Sequence, residues 1–194
     1  MNIGARYNNH GEVEFAVWAP LKKEVAVIIQ PEDRIYEMKC DGQGYWRTTI
    51  GGLTEKTDYL YLLDREIKRP DPASNFQPYG VHGPSRIVDH SQFEWSDGMW
   101  EGVRLEEMVI YELHVGTFTQ EGTFTAIIPR LNELKQLGIN AIEIMPVAQF
   151  PGERNWGYDG VYSFAPQNSY GGPTGLKALV RACHKKGIAV ILDV

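Results

Sequence analysis

From residue 109 onward the sequence alternates between short apolar runs and stretches with helical spacing, and this rhythm limits the fold more than any other feature. Val109–Val115, Ala141–Val147 and Ile188–Val194 read as strands. Between the first two, Phe124, Ile127, Ile128, Leu131, Leu134 and Leu137 recur at helical spacing, and Gly138 stands where a helix C-cap glycine belongs. Pro129 is tolerated only in a first turn, so that helix is expected to begin shortly before it. The nearly continuous apolar run Ala141–Val147 suits a strand covered on both faces. Thr174 is expected to cap a second helix carrying Leu176, Leu179, Val180 and Cys183. Lys185 and Lys186 fall in its last turn, where they favour the dipole, and Gly187 ends it. Three strands joined by two crossover helices open a parallel α/β domain, and the pattern alone does not distinguish a barrel from an open sheet. An eight-stranded barrel takes roughly 250 residues. The chain has 194 in all and ends inside an apolar run, so it is expected to be a truncated form.

The first half has a different period. Glu12–Trp18 alternates polar and apolar residues, as a half-buried strand does. Glu24–Ile29, Ile35–Lys39, Tyr45–Ile50 and Tyr59–Asp64 are further strand candidates, and Asp41-Gly42-Gln43-Gly44 reads as a hairpin connection between the middle two. Short strands with Gly and Pro between them point to a small antiparallel sandwich. Arg69 to Trp100 then carries Pro70, Pro72, Pro78 and Pro84, which neither continue a helix nor donate to a ladder. A structureless stretch of that length packs on something or connects domains. The expected division is a β-sandwich over residues 1–90, a connector over 91–108 and the parallel domain from 109 to 194.

Composition removes several function classes. Net charge is −6, against the basic face a nucleic-acid binder needs, and a neutral ligand such as a sugar fits. No stretch approaches the ~18 apolar residues of a membrane span, and no apolar run follows the N-terminus, so neither a membrane partner nor a signal peptide is expected. Cys40 and Cys183 lack partners at metal-ligand spacing and read as isolated reduced thiols, which suits a cytoplasmic location. The sequence has no Gly-x-Gly-x-x-Gly, Walker loop, Cys-x-x-Cys, His-Glu-x-x-His or Gly-x-Ser-x-Gly, and no cofactor or metal is expected.

The stretch richest in chemistry is Phe150 to Tyr162, after the second strand of the parallel domain. Loops at the carboxyl ends of parallel strands build active sites. Aromatic rings beside Asn, Asp and Arg suit a carbohydrate, whose apolar C–H faces stack on rings while its hydroxyls need two-sided hydrogen bonding. Trp156, Tyr158 and Asp193 are the candidate substrate-binding residues; the other reading is a long loop whose Trp and Tyr pack down, which buried aromatics favour for Trp156. Asp193, acidic within an apolar strand, is costly unless paired, and either an active-site carboxylate or an ion-pair partner satisfies that requirement. Glu112, His114 and Glu143 are expected as polar groups satisfied inside buried strands. Gly171-Gly172-Pro173-Thr174 reads as a tight turn into a helix rather than an anion site.

On these residues the chain resembles glycoside hydrolase family 13, the α-amylase clan. Tyr111-Glu112-Leu113-His114-Val115-Gly116-Thr117-Phe118 resembles its first barrel strand, Gly138 to Val147 its second, Asn155-Trp156-Gly157-Tyr158-Asp159-Gly160-Val161 the loop that follows, and Ile191-Leu192-Asp193-Val194 the start of its third-strand region. Gly-Tyr-Asp-Gly-Val, with Arg69 to Ser74 and Gln77 to Ser85, is similar to the trehalohydrolase subgroup, although Asn75 replaces the expected Arg. The resemblance covers essentially the whole chain. It implies an immunoglobulin-like sandwich related to family-48 carbohydrate-binding modules, followed by about three strands and two helices of a (β/α)8 barrel. It implies a retaining hydrolase that releases trehalose from malto-oligosyltrehalose, with that α-glucan as partner. Tyr158 matches the tyrosine that stacks on the glucose to be cleaved, and Asp193 a supporting aspartate. The nucleophile and acid/base belong beyond Val194, so no catalytic residue is expected here and the chain alone is expected to be inactive. A branching or debranching enzyme of the same clan, or a non-catalytic glucan-binding module, are the alternatives.

Overall fold

A computed structural model describes residues 3–194, which form two compact units. The first runs to Gln92 and includes Tyr162–Ala165; the second comprises Phe93–Val161 and Pro166–Val194.

The first unit holds β1 (Gly4–Tyr7), β2 (Val13–Trp18), β3 (Val25–Ile29), β4 (Arg34–Glu37), β5 (Lys39–Cys40), β6 (Tyr45–Ile50), β7 (Asp58–Leu63), β8 (Ile67–Arg69) and β9 (Ser85–Arg86). They form two antiparallel sheets, ordered β1-β2-β6-β5 and β4-β3-β7-β8, with β9 also on β7. Alternation sends Val13, Phe15 and Val17 of one sheet and Val25, Val27 and Ile29 of the other into a single core with Trp46, Ile50, Tyr59 and Tyr61. The expected strand 35–39 is broken. Met38 buries its side chain in that core while its amide bonds the Val25 carbonyl at 3.0 Å, and the chain changes sheets there. The hairpin at 41–44 therefore joins β5 to β6, tightened by the Asp41 carboxylate, which accepts from the Gln43 and Tyr45 amides. Strands β1 and β8 escape the pattern because short edge strands carry little alternation.

The Pro-rich stretch after β8 is not loose. Buried backbone groups need partners even without a ladder, and four fully or almost fully buried polar residues, Asp71, Ser74, Gln77 and Ser85, supply them. The Ser85 hydroxyl accepts from the Asp71 amide (3.0 Å) and donates to Gln77 Oε1 (2.5 Å). Gln77 Nε2 donates to the carbonyls of Gly80 and Gly83, both at 3.2 Å. The Asp71 carboxylate accepts from the Ala73 amide (2.8 Å) and from the hydroxyls of Tyr59 (2.6 Å) and Tyr61 (3.3 Å). Arg86 forks onto Asp58 at 2.6 and 3.0 Å.

The second unit contains β10 (Ile110–Leu113), α1 (Val115–Phe118), α2 (Phe124–Ile127), α3 (Leu131–Gln136), β11 (Ala141–Ile144) and β12 (Ala148–Gln149); β13 (Tyr162–Pro166) falls in the first unit except for Pro166, and α4 (Gly172–Lys185) and β14 (Ala189–Leu192) belong to the second. β10, β11 and β14 form a parallel sheet in that order, with Leu113, Ile144 and Leu192 in register. The helical stretch 124–136 is divided. Pro129 lacks an N–H and opens a 3-10 turn at Ile128–Arg130, which separates α2 from α3. The Thr123 side chain caps α2 by accepting from the Ala126 amide. Gly138 and Gly187 terminate α3 and α4 with positive φ, and the Ile139 and Ile188 amides reach back to the carbonyls of Leu134 and Cys183. α4 starts earlier than Thr174 would place it: Pro173 occupies its first turn and Gly171, at φ 111°, is the cap.

Leu113, Ile142, Ile144 and Ile188 pack on Phe124, Ile127, Leu131, Leu179 and Cys183. The helices cover one sheet face only, so the two-sided burial expected of 141–147 is not met at Glu143, which is half-exposed. Residues 93–100 lie along α4. Phe93 sits beneath the Lys177 and Arg181 cations, Trp100 stacks on His184 at 4.7 Å, and Asp97 meets His184 Nδ1 at 2.5 Å. Cys40 is exposed, Cys183 is buried and both are free thiols. No helix among the described residues is long and apolar enough to cross a membrane.

Burial pushes the Asp71 carboxyl from 3.8 up to about 6, against the lowering pull of its hydrogen-bond donors. The folded state then holds the proton more tightly than the unfolded chain, so this contribution is greatest below the unfolded value and is lost as pH rises to and past about 6. The loss amounts to about 3 kcal/mol. Wild type minus Asp71→Asn unfolding free energy, from urea titrations between pH 3.5 and 7, is expected to fall by that order; a flat difference contradicts it. Phe124→Ala, at a fully buried ring, is expected to cost about 3–5 kcal/mol in the same measurement.

Candidate functional site

The parallel register puts the exits of three strands side by side, and the side chains that follow them gather there. Each exit is tied to its neighbour: the Met145 amide bonds the Leu113 carbonyl and the Asp193 amide the Ile144 carbonyl, both at 3.0 Å. Asp193 therefore leaves the sheet in step with β11. Its carboxylate accepts the Tyr158 hydroxyl at 2.9 Å. Among the described residues it joins no ion pair, so the second of the two roles that the sequence left open is not seen there.

The loop carrying Tyr158 is built from its base upward. Two buried glutamines, Gln149 and Gln167, fasten it: Gln167 Oε1 accepts from the Phe150 amide (3.0 Å), and Gln149 Oε1 from the Asn168 amide (2.9 Å). Gln167 Nε2 donates to the Gly152 carbonyl at 3.1 Å. Higher up, Asn155 folds an Asx turn, its Oδ1 accepting from the Gly157 amide at 2.7 Å while its Nδ2 donates to Asp159 at 3.2 Å. Gly157 has φ 112°, and a Cβ there would lie 2.3 Å from the Pro146 carbonyl oxygen, so only glycine lets the loop press against the end of β11.

This geometry leaves Trp156 80% and Tyr158 61% exposed. Neither packs down, the other outcome that the sequence allowed. Both line an open cavity of ≈ 620 Å³ with His114, Thr117, Asn155 and Asp159. Tyr158 titrates above its ordinary value of 10, first because its hydroxyl is hydrogen-bonded to Asp193, then through burial and the charges of Asp193, Glu112 and Glu143.

The strand acids do not behave as expected. Glu112 is exposed and Glu143 half-exposed, next to each other in register on the face away from the helices. Their positions alternate with Leu113 and Ile144, which take the covered face. His114, half-buried, bonds the Asn155 carbonyl at 2.7 Å. Sequence patterning missed Gln149, Gln167 and the organising role of Asn155; the Asn-x-Gly spacing was the available signal for the last. Among the described residues no group of three His, Cys, Asp or Glu is arranged to hold a metal ion.

The family described as alpha amylase, catalytic domain, matches residues 85–194. A malto-oligosyltrehalose trehalohydrolase of Saccharolobus solfataricus is 52% identical over the whole chain, which covers 34% of that relative. Another of the same name, from Deinococcus radiodurans, is 42% identical over 93% of the chain and 29% of the relative. A crystal structure from Salmonella typhimurium, named there as a candidate alpha amylase, superposes with a TM-score of 0.95 at 42% identity over the whole chain and 33% of that structure. The chain thus spans about a third of the length of the curated relatives it matches. With a family match over more than half its residues, and with an aromatic loop at the carboxyl ends of parallel strands, the chain belongs to the α-amylase family.

Proposed function

We propose that the whole protein is a retaining glycoside hydrolase that cuts the α-1,4 bond next to the terminal trehalose unit of a malto-oligosyltrehalose, releasing trehalose in the cytoplasm. The chain described here supplies part of its glucan-facing surface. In this reading residues 1–90 are an immunoglobulin-like module related to family-48 carbohydrate-binding modules, 91–108 a connector, and 109–194 the first part of a (β/α)8 barrel. The names of the relatives at 52% and 42% identity support the reaction.

The observation that carries the reading is the exposed Tyr158 ring, its hydroxyl donated to Asp193 across the strand exits. A glucose ring laid on that aromatic face would find hydrogen-bonding groups at its margin, including the Asp193 carboxylate and Asp159. Trp156, on the same cavity, is a second ring for the adjoining sugar. Asp193 orients the tyrosine and meets sugar hydroxyls; it is not the nucleophile. The nucleophile and the acid/base belong to parts of the family pattern outside these residues, and neither Glu112 nor Glu143 replaces them.

Titration calorimetry with maltotriose and malto-oligosyltrehalose tests the binding claim. Tyr158→Ala and Trp156→Ala are each expected to weaken binding about tenfold, and Tyr158→Phe to weaken it less because the ring is kept. Binding that is indifferent to both alanine substitutions overturns the assignment. Hydrolysis is separable: the 194-residue chain is expected to release no trehalose, and turnover by the purified chain would show that its own carboxylates suffice.

A further inference from the structure

We infer that His114 is a positioning residue for the sugar-facing loop, and that His114-Val115-Gly116-Thr117 is a device for holding it in one tautomer against that loop. The inference deepens the function proposed above. A backbone carbonyl only accepts, so the 2.7 Å contact between His114 Nε2 and the Asn155 oxygen requires the proton on Nε2. Nδ1 of the neutral ring is then an acceptor, and the Thr117 hydroxyl lies 3.3 Å from it. Thr117 is placed there by the turn of α1, whose cap is His114 itself.

Gly116 supplies the clearance. A Cβ at that position would lie 3.0 Å from the Tyr170 hydroxyl and 3.1 Å from both His114 Cε1 and Tyr170 Cε1, tighter than ordinary contact. The Tyr170 ring can therefore close edge-on against the imidazole, with centroids 6.0 Å apart at 85°. Tyr170 is itself fixed in the core, edge-on to Phe124 and Phe150. The imidazole is thus braced by its own helical turn on one side and by a core aromatic on another; its Nε2 is nearest the Asn155 carbonyl, at 2.7 Å, with the Tyr170 hydroxyl at 3.4 Å.

The Asn155 carbonyl is the effective place to hold that loop. The Asn155 side chain organises Gly157 and Asp159, and Trp156 and Tyr158 flank the turn. Held at one carbonyl, both aromatic residues keep their place at the cavity. The glutamines fasten the base of the loop, whereas His114 fastens its working end. This role acts through Asn155 and does not require His114 to touch a sugar.

Three variants of the full chain test the inference: His114→Ala, His114→Gln and Thr117→Val. Gln can still donate an N–H toward Asn155, and Thr117→Val removes only the hydroxyl that holds the tautomer. One readout is amide hydrogen exchange at Gly157 and Asp159; the other is maltotriose affinity. His114→Ala is expected to speed exchange at Gly157 and weaken maltotriose about tenfold, while Gln restores most of both. Thr117→Val is expected to fall between, with exchange at Ile142 and Leu179 in the core unchanged. Unchanged Gly157 exchange in His114→Ala overturns the inference, as does loosening of core amides to the same degree, which marks a merely structural residue. If His114→Ala does not fold, Gly157 exchange in Thr117→Val indistinguishable from wild type overturns it instead. Failure of the wild-type chain to bind maltotriose defeats the proposed function, and the exchange readout still decides the role of His114.

Discussion

Parallel register is the constraint on which the site depends. A three-stranded sheet with Leu113, Ile144 and Leu192 level brings three chain exits within reach of one another, and backbone bonds from Met145 and Asp193 extend the match one residue further. A one-residue slip in β14 would turn Asp193 to the other face, because side chains alternate with a period of two. The helix-side core resists such a slip: Leu113, Ile142, Ile144 and Ile188 interlock with α2 and α4, and moving them would expose apolar groups worth about 1.5–3 kcal/mol each. The hydrogen bond from Tyr158 to Asp193 is thus a product of strand register as much as of loop design.

Much of this was legible because long apolar periodicity is hard to disguise. The three strands, the body of α4 and the glycine stops at Gly138 and Gly187 follow from apolar pattern and C-cap chemistry, whereas the start of α4 does not. The failures have local causes. Pro129 divides one expected helix, since a missing donor and a ring clash outweigh the apolar stripe that runs through it. Met38 divides an expected strand, because alternation cannot reveal that a chain is changing sheets. Burial of Glu112 was overestimated for a related reason: an apolar neighbourhood in sequence does not say whether a sheet is covered on one face or two.

The candidate site was legible in its residue types but not in its supports. Aromatic, amide and acidic residues cluster after a parallel strand, and Tyr158 and Asp193 meet there in a hydrogen bond. Gln149 and Gln167 gave no warning, because a buried glutamine shows its purpose only when the carbonyls and amides around it are known. The same holds for Asp71, Ser74, Gln77 and Ser85 in the first unit, where side chains replace the ladder that proline forbids. Sequence shows which residues are costly to bury; structure shows which neighbours offset the cost.

An exposed aromatic ring is useful to a ligand only if it is already held where it is needed, since freezing a mobile loop on binding subtracts from the affinity. Tyr158 meets this condition from two directions. Its hydroxyl is fixed by Asp193, and the turn on which it sits is fixed by Asn155, whose carbonyl is bonded to His114. The hydrogen bond to Asp193 also raises the phenol above its ordinary value, and the negative charges of Glu112 and Glu143 act in the same direction. Glu112 and Glu143, exposed and half-exposed on the open sheet face, thus add to the effect of Asp193 on the Tyr158 hydroxyl without touching it.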